Sequence, residues 1–556
     1  MKAAPAGETN ASRRARLLQA LLFLSLYVWA FLSSLRPIHE YDFWWHLAGG
    51  RLFFAKGIPS VDPFSLTCRG RTWINTFWLL EAGLYGLYRG AGLNAIVIAQ
   101  AAAVCAVLWF QQRMLAALGA GWASRAAVFV AFFLSFSPAS RNWVSQVSLV
   151  TMIFCAALWA DIEACRRDDR EPRLAVWLPL FALWANMHRG VVIGLAIAGL
   201  YALAQARRGP QALARAMRFP ALAAAATLVN PYGVGLYRMI WSDFTFSPAH
   251  IHNWATTNWS SHREYWLAGA ALWALLARRI ARRDKHVLFH ALAAALFSWL
   301  AARSLVNAPY LSLFALPLLG AAASDALRGR LPRAPLAQEA ALAAALAFAL
   351  AAAATARSRG GLDASSVPIG ACDFIAQENL RGPFFNDYRF GGYFLWRFGG
   401  DPAVFIDGRN VSVDGYGTLL TEIETAKTSP ALWEAFLRRD GVHGALTTYP
   451  EGAPSYAPFD AYFPRARWAL VDWDDVSLLF LERTPENRAT IQRAEFKALS
   501  PDGGPQTLAA RARAADPATR RRIESELRRA LAEQPDGARV RNLARAYAQA
   551  VSPAAR

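Results

Sequence analysis

The chain has 556 residues, of which 55% are hydrophobic and only 18% charged, and its mean hydropathy is +0.19. Soluble globular chains carry about 25% charged residues, so this composition excludes a disordered chain and argues against a purely soluble enzyme. The formal net charge of +19 would suit a nucleic-acid binder, but its placement along the chain excludes nucleic acid as a partner.

In chain order, a short basic N-terminus (residues 1–16, with Arg13, Arg14 and Arg16) precedes an apolar run from Leu17 to Leu35. This run is long for a signal peptide and contains Tyr27 and Trp29, so it reads as an uncleaved first membrane helix. Further apolar segments fall at 91–111, 122–138, 146–164, 174–187, 190–206, 219–232, 265–277, 287–303, 308–323 and 337–355, giving about eleven spans.

With the N-terminus in the cytoplasm, the alternating inside loops collect the arginines. They hold Arg113 with Arg125; Arg166, Arg167, Arg170 and Arg173; Arg207, Arg208, Arg215 and Arg218; Arg278, Arg279, Arg282, Arg283 and Lys285; and Arg328, Arg330 and Arg333. The outside loops hold single arginines: Arg141, Arg189, Arg238, Arg263 and Arg303. This is the positive-inside pattern, so the charge reports topology and contact with anionic membrane lipids. The expected organisation is a transmembrane domain over 17–355 with large outside loops at 36–78 and 233–264. An extracytoplasmic α/β domain over 356–485 and a helical tail over 486–556 follow.

In the α/β domain, strands are expected at Gly382–Asn386, Ala403–Asp407, Gly444–Thr448 and Ala469–Leu481, the last as a hairpin. Helices are expected at 369–380, 389–397 and 430–439. The stretch Arg521–Ala550 reads as a helical hairpin, faintly TPR-like. The five cysteines include no C-x-x-C pair, which leaves no zinc ribbon, iron–sulfur or thioredoxin motif. Cys68 and Cys372 both fall outside, where they can either bridge or stay free.

The first outside loop is the richest in chemistry. It reads His39-Glu40-Tyr41-Asp42-Phe43-Trp44-Trp45-His46, continues through Gly57-Ile58-Pro59 and Asp62-Pro63, and ends at Trp78-Leu79. Phe43, Trp44, Leu47, Leu52 and Phe54 can form the apolar side of an interfacial helix. Asp42, just beyond the first membrane helix, is placed to take a proton from an acceptor hydroxyl or to help hold a divalent cation. It equally suits a helix N-cap. Glu40 and His46, one helical turn from Asp42, are further candidates, and His46 also suits a structural hydrogen bond. Asn230-Pro231-Tyr232-Gly233 reads as a break in the seventh span.

These segments resemble the GT-C class of polytopic glycosyltransferases, which includes the protein mannosyltransferases and the lipid A aminoarabinose transferases. In that class an acidic motif follows the first membrane helix, then an interfacial helix, a Gly/Pro stretch and an aromatic Trp-Leu segment. Asp42, Ala48, Gly57, Pro59 and Trp78-Leu79 stand in that order here. The resemblance is stronger to a group of bacterial membrane proteins described as glycosyltransferase-like. Their recurrent segments correspond to Asp42-Phe-Trp-Trp-His-Leu, Leu183-Trp-Ala-Asn-Met-His-Arg-Gly190, Asn230-Pro-Tyr-Gly233 and Arg303 near Pro309. Asn386-Asp-Tyr-Arg-Phe-Gly-Gly-Tyr393 and Phe405-Ile-Asp-Gly-Arg409 complete the set. The Glu-Trp pair usual in the group's second large outside loop corresponds here to Asn253-Trp254.

The resemblance implies an inverting membrane glycosyltransferase with a polyprenyl-phosphate sugar donor, acting at the outer face of a bacterial cytoplasmic membrane. Asp42, with Glu40 and His46, would be catalytic, and Asp42 would be the ligand of any divalent cation. His188, Arg189, Arg263 and Arg303 would bind the donor phosphate, since arginine offers forked donors to phosphate oxygens. Arg189 and Arg303 also suit snorkelling at the interface. A non-catalytic scaffold that binds other envelope-assembly proteins, or a transporter of a lipid-linked substrate, would share much of this pattern.

Overall fold

The computed structural model describes residues 10–136, 146–250, 256–260, 262–284, 287–327, 335–356, 361–449 and 459–552. Arg141, Asn253, Trp254, Lys285, Arg328, Arg330 and Arg333 lie outside the described residues. The chain divides into two compact units, Met1–Ile38 with Thr76–Leu362, and His39–Asn75 with Asp363–Arg556.

The first unit is helical, and each of the eleven apolar segments coincides with a helix. Six of these helices are long and apolar enough to cross a membrane: Ser12–Ser34, Trp78–Ala117, Val147–Arg167, Val191–Arg208, Leu305–Ala326 and Ala337–Ala354. Trp122–Ser135, Leu174–Met187 and Val287–Arg303 are apolar but shorter. The first helix packs along the last, and Trp78–Ala117 along Gln146–Arg167. Trp78–Ala117 starts thirteen positions before the apolar run at 91, because its two halves meet at Gly92, whose φ of 72° breaks the helical path.

The expected seventh span is a short helix, Arg218–Thr227. Asn230 ends it: its Nδ2 donates to Thr227 O (2.7 Å) and its Oδ1 accepts from Tyr232 N (2.8 Å). The stretch 233–264, expected as a loop, contains the helix Gly235–His250. The core of this unit is aromatic. Trp159 lies 4.1–5.8 Å from the ring centroids of Phe289, Phe297 and Phe314. The buried carboxylate of Glu163 is satisfied by Arg166 (3.0 Å) and His290 (2.8 Å), and Arg279 donates to the other His290 nitrogen (2.9 Å).

The second unit contains a four-stranded sheet of β1 (Phe384–Asn386), β2 (Gly444–Thr448), β3 (Trp468–Trp473) and β4 (Ser477–Glu482), in the order β1-β2-β4-β3. The β1/β2 pair is parallel and the others antiparallel. The helices Ile369–Gln377, Tyr388–Phe398 and Pro430–Arg439 lie where the sequence places them. The helix Tyr416–Ala426 was not expected. The stretch Ala403–Asp407 is not a strand. Asn386 Oδ1 accepts from Phe405 N (2.8 Å) and its Nδ2 donates to Ile406 O (2.8 Å), which occupies backbone groups that a ladder would use. Only a single bridge, Ser65 with Val404, remains there.

Residues 39–75 cluster with this second unit and not with the helical one. Besides backbone bonds such as Ile74 N to Ser412 O (2.8 Å), two side-chain contacts help to hold them. Asp62 pairs with Arg409 (2.6 Å), and the helix Phe43–Lys56 packs on Tyr388–Phe398. Trp44 meets Tyr393 edge-on (5.1 Å), and Arg51 donates to Trp396 O (2.8 Å) while covering its ring. The apolar side expected to face lipid is therefore largely buried in protein: Phe43, Trp44 and Leu47 are buried, and Phe54 is exposed.

The tail forms Gly504–Ala514, Pro517–Glu533 and Ala538–Val551 and clusters with the same unit. The Glu526 carboxylate docks it by accepting from the backbone N–H groups of Lys497, Ala498 and Leu499 (2.7–3.1 Å). Cys68 and Cys372 are both buried and both free thiols, so no bridge joins them.

Candidate functional site

The candidate residues fall into two groups, one in each unit. Asp42, Glu40 and His46 lie in the second unit, and His188, Arg189, Arg263 and Arg303 in the first.

Asp42 stands at the N-terminus of the helix Phe43–Lys56, but its side chain makes no capping hydrogen bond. Its Oδ1 instead accepts from the Trp45 indole N–H at 3.3 Å. The Asp407-Gly408-Arg409 turn lies directly against this pair. Glu40 and Asp42 are both half-buried, while His46 is buried with its ring against that of Trp45, 3.5 Å between centroids. His46 thus sits in the packed face of its helix.

Tyr41 and Tyr388 complete the surroundings, their rings edge-to-face at 6.3 Å. Burial raises both phenols above the ordinary tyrosine value, and the Asp42 carboxylate adds to the rise in each. Both therefore stay protonated, and the Tyr388 hydroxyl donates to Asn410 Oδ1 at 2.6 Å. Among the described residues, no group of three or more His, Cys, Asp or Glu side chains is arranged to hold a metal ion. Among the described residues around Asp42, no oxygen-rich set of the kind a divalent cation needs is assembled.

In the first unit, the structure brings several sequence motifs together. Trp78 donates to Asn186 Oδ1 (2.9 Å), and Asn186 Nδ2 donates to Val229 O (2.7 Å), so one amide ties Trp78-Leu79, the 183–190 motif and the 230–233 break. Trp78, Leu183, Asn186, Leu228, Val229 and Pro231 line an open groove of about 560 Å³ there.

His188 is buried and its Nδ1 accepts from Gly190 N–H (2.9 Å), with the Thr151 hydroxyl at 2.9 Å. Trp184 Nε1 donates to that hydroxyl oxygen (2.9 Å), leaving its proton for His188 Nδ1 and placing the imidazole proton on Nε2. His188 is thus a packed, hydrogen-bonded neutral ring.

Arg189 pairs with the buried Asp243 at 2.9 Å and lies over Phe77. Arg303 lies over Phe244, 5.7 Å from its centroid. The two arginines, 114 positions apart in sequence, therefore contact adjacent residues of the helix Gly235–His250. Arg263 is exposed at the first position of its own helix. Asp243 and Thr151 were not singled out from the sequence. Asp243 had no motif to mark it, whereas Gly408 lay inside a recurrent one.

The fold of this chain has counterparts among solved structures. Thirteen solved chains match it. One is the archaeal oligosaccharyltransferase AglB from Archaeoglobus fulgidus, solved in complex with an inhibitory peptide and a dolichol-phosphate. The match has a TM-score of 0.51 and 9% identity, and covers 78% of this chain and 69% of that one. No protein-family model and no curated protein sequence matches the chain.

Proposed function

We propose that this protein is an inverting membrane glycosyltransferase. It would move a sugar from a polyprenyl-phosphate donor to an envelope glycan, lipid or protein acceptor, at the outer face of a bacterial cytoplasmic membrane. The observation that carries the reading is the likeness of the fold to AglB over 78% of the chain, and the sequence resemblance to the GT-C class suggests Asp42 as the acidic residue. The Asp42 carboxylate is turned toward Trp45 and is not spent on capping its helix. The AglB neighbour is a complex with dolichol-phosphate, itself a polyprenyl phosphate, which supports a donor of that class.

In this reading Asp42 accepts the proton of the acceptor hydroxyl as its oxygen attacks the anomeric carbon. The bond from that carbon to the phosphate oxygen breaks, and the leaving group departs as polyprenyl phosphate. In the first unit, Arg189 and Arg303, which contact the adjacent Asp243 and Phe244, are the candidate cations for a donor phosphate.

The test compares the envelope glycans of cells with the wild-type protein, with a deletion, and with Asp42→Asn at matched membrane abundance. Loss of the same sugar in deletion and variant, with accumulation of the lipid-linked donor, is the expected result. Loss in the deletion alone would transfer the role to a scaffold or transporter that does not need the carboxylate.

A further inference from the structure

Two motifs of the second unit, Asn386–Tyr393 and Phe405–Arg409, take no part in the chemistry above. We propose that they form the seat of Asp42, with Gly408 as its positioning residue. This inference rests on the reading of Asp42 as the base.

The argument is steric first. A Cβ at position 408 would stand 1.8 Å from Asp42 Oδ1 and 2.6 Å from Trp45 Nε1. The hydrogen bond between those two atoms therefore lies across the bare α-carbon of Gly408, and any side chain would displace both partners.

The turn that carries Gly408 is held rigidly from below. Asp407 Oδ1 accepts from Arg409 N (2.9 Å) and Nε (2.8 Å), and Asp407 Oδ2 from Arg409 Nη2 (2.7 Å). Arg409 Nη1 reaches Asp62 (2.6 Å) and its Nη2 reaches the Tyr416 hydroxyl (2.9 Å). The side chains of Asp62, Asp407 and Arg409 are all fully buried. Such a doubly held guanidinium fixes its own turn in place.

The neighbouring helix is fitted by the same means. A Cβ on Gly391 would stand 1.9 Å from Ile406 O, and one on Gly392 2.6 Å from Tyr41 O. These consecutive glycines let the helix Tyr388–Phe398 touch the backbone before Gly408 and the backbone before Asp42 at once. Three glycines and a buried ion network thus converge on one carboxylate. A reacting group must be held to within about 0.5 Å to be effective, and this seat supplies that constraint.

The test uses the full-length protein in detergent. The donor probe is the lipid extract of deletion cells, in which the lipid-linked sugar accumulates. In Gly408→Ala, kcat per folded molecule is expected to fall about a hundredfold with apparent KM for the extract within about twofold of wild type. Leu437→Ala, an equally buried change elsewhere in the unit, should lower stability without lowering kcat per folded molecule. In thermal unfolding, the cost of Gly408→Ala should at least halve once Asp42→Ala has removed the opposing carboxylate.

Wild-type turnover in Gly408→Ala, or stability costs that simply add, would overturn the proposal. Wild-type turnover in Asp42→Asn would instead overturn the reading of Asp42 as the base, and the stability cycle would then decide the seat by itself.

Discussion

Arg409 donates to Asp62 across 2.6 Å, joining two positions 347 residues apart in the chain. This bond closes the second unit over a segment inserted between the first two helices of the other unit. Burial disfavours the charge on Arg409, but Asp407, Tyr416 and Asp62 outweigh it and hold the guanidinium protonated. The network is therefore a clamp on chain topology as well as the base of the Gly408 turn.

Removing one member of a buried charge network is more damaging than replacing the whole, because it strands the rest. Arg409→Met leaves two buried carboxylates without their cation, and should cost the second unit about 3–5 kcal/mol. Asp62→Asn leaves Arg409 still paired with Asp407 and should be milder. Thermal melts and limited proteolysis of the detergent-solubilised protein check the order. Equal loss in the two variants would mean that the Asp62 arm carries as much as the whole clamp.

Asp472 should make the second unit less stable as pH rises. It lies in β3 at a register shift, and its Oδ2 has no hydrogen-bond partner. Burial, then the Asp474 and Glu533 charges, raise its carboxyl to about 7, against weaker pulls from the Trp473 backbone and Arg529. An unfolded aspartate titrates at about 3.9. Between those values the folded state keeps a proton that the unfolded state has released, so stability falls as pH rises from about 4 to about 7 and stays low above that. Asp472→Asn should flatten this slope and raise the melting temperature at pH above about 7. Parallel pH curves for variant and wild type would show that Asp472 does not set the slope.

The apolar helices were legible because each draws its apolar residues from one continuous segment, a pattern local to the sequence, although only six of them are long and apolar enough to cross a membrane. The Asn230 break was legible for the same reason, since Pro231 and Gly233 act on their own backbone. What could not be read was association over distance. Nothing in residues 39–75 announces that Asp62 meets Arg409, or that Trp44 packs on Tyr393 and not on lipid. The Ala403–Asp407 stretch has the apolar character of a strand, yet a single amide, Asn386, takes up its backbone groups. Asp42 was visible by its position after the first helix, whereas the need for glycine at 408 exists only once the two segments touch.

The pairing of Arg189 with Asp243 allows the role of Arg189 to be separated from its structural duty. Asp243 is buried, and Arg189 lies 2.9 Å from it. Arg189→Gln alone strands that carboxylate and should lower membrane abundance by an amount matching about 3–5 kcal/mol. A loss of glycan in that variant would therefore say little about phosphate. The double variant Arg189→Gln/Asp243→Asn removes both charges and leaves two amides able to hydrogen-bond, so abundance should recover. If Arg189 steadies the leaving phosphate, the recovered protein still transfers sugar at least about tenfold more slowly, as expected when a charge-assisted contact to the transition state is lost. If transfer returns together with abundance, Arg189 serves only to neutralise Asp243, and the phosphate contact must come from elsewhere, with Arg303 over Phe244 the neighbouring cation.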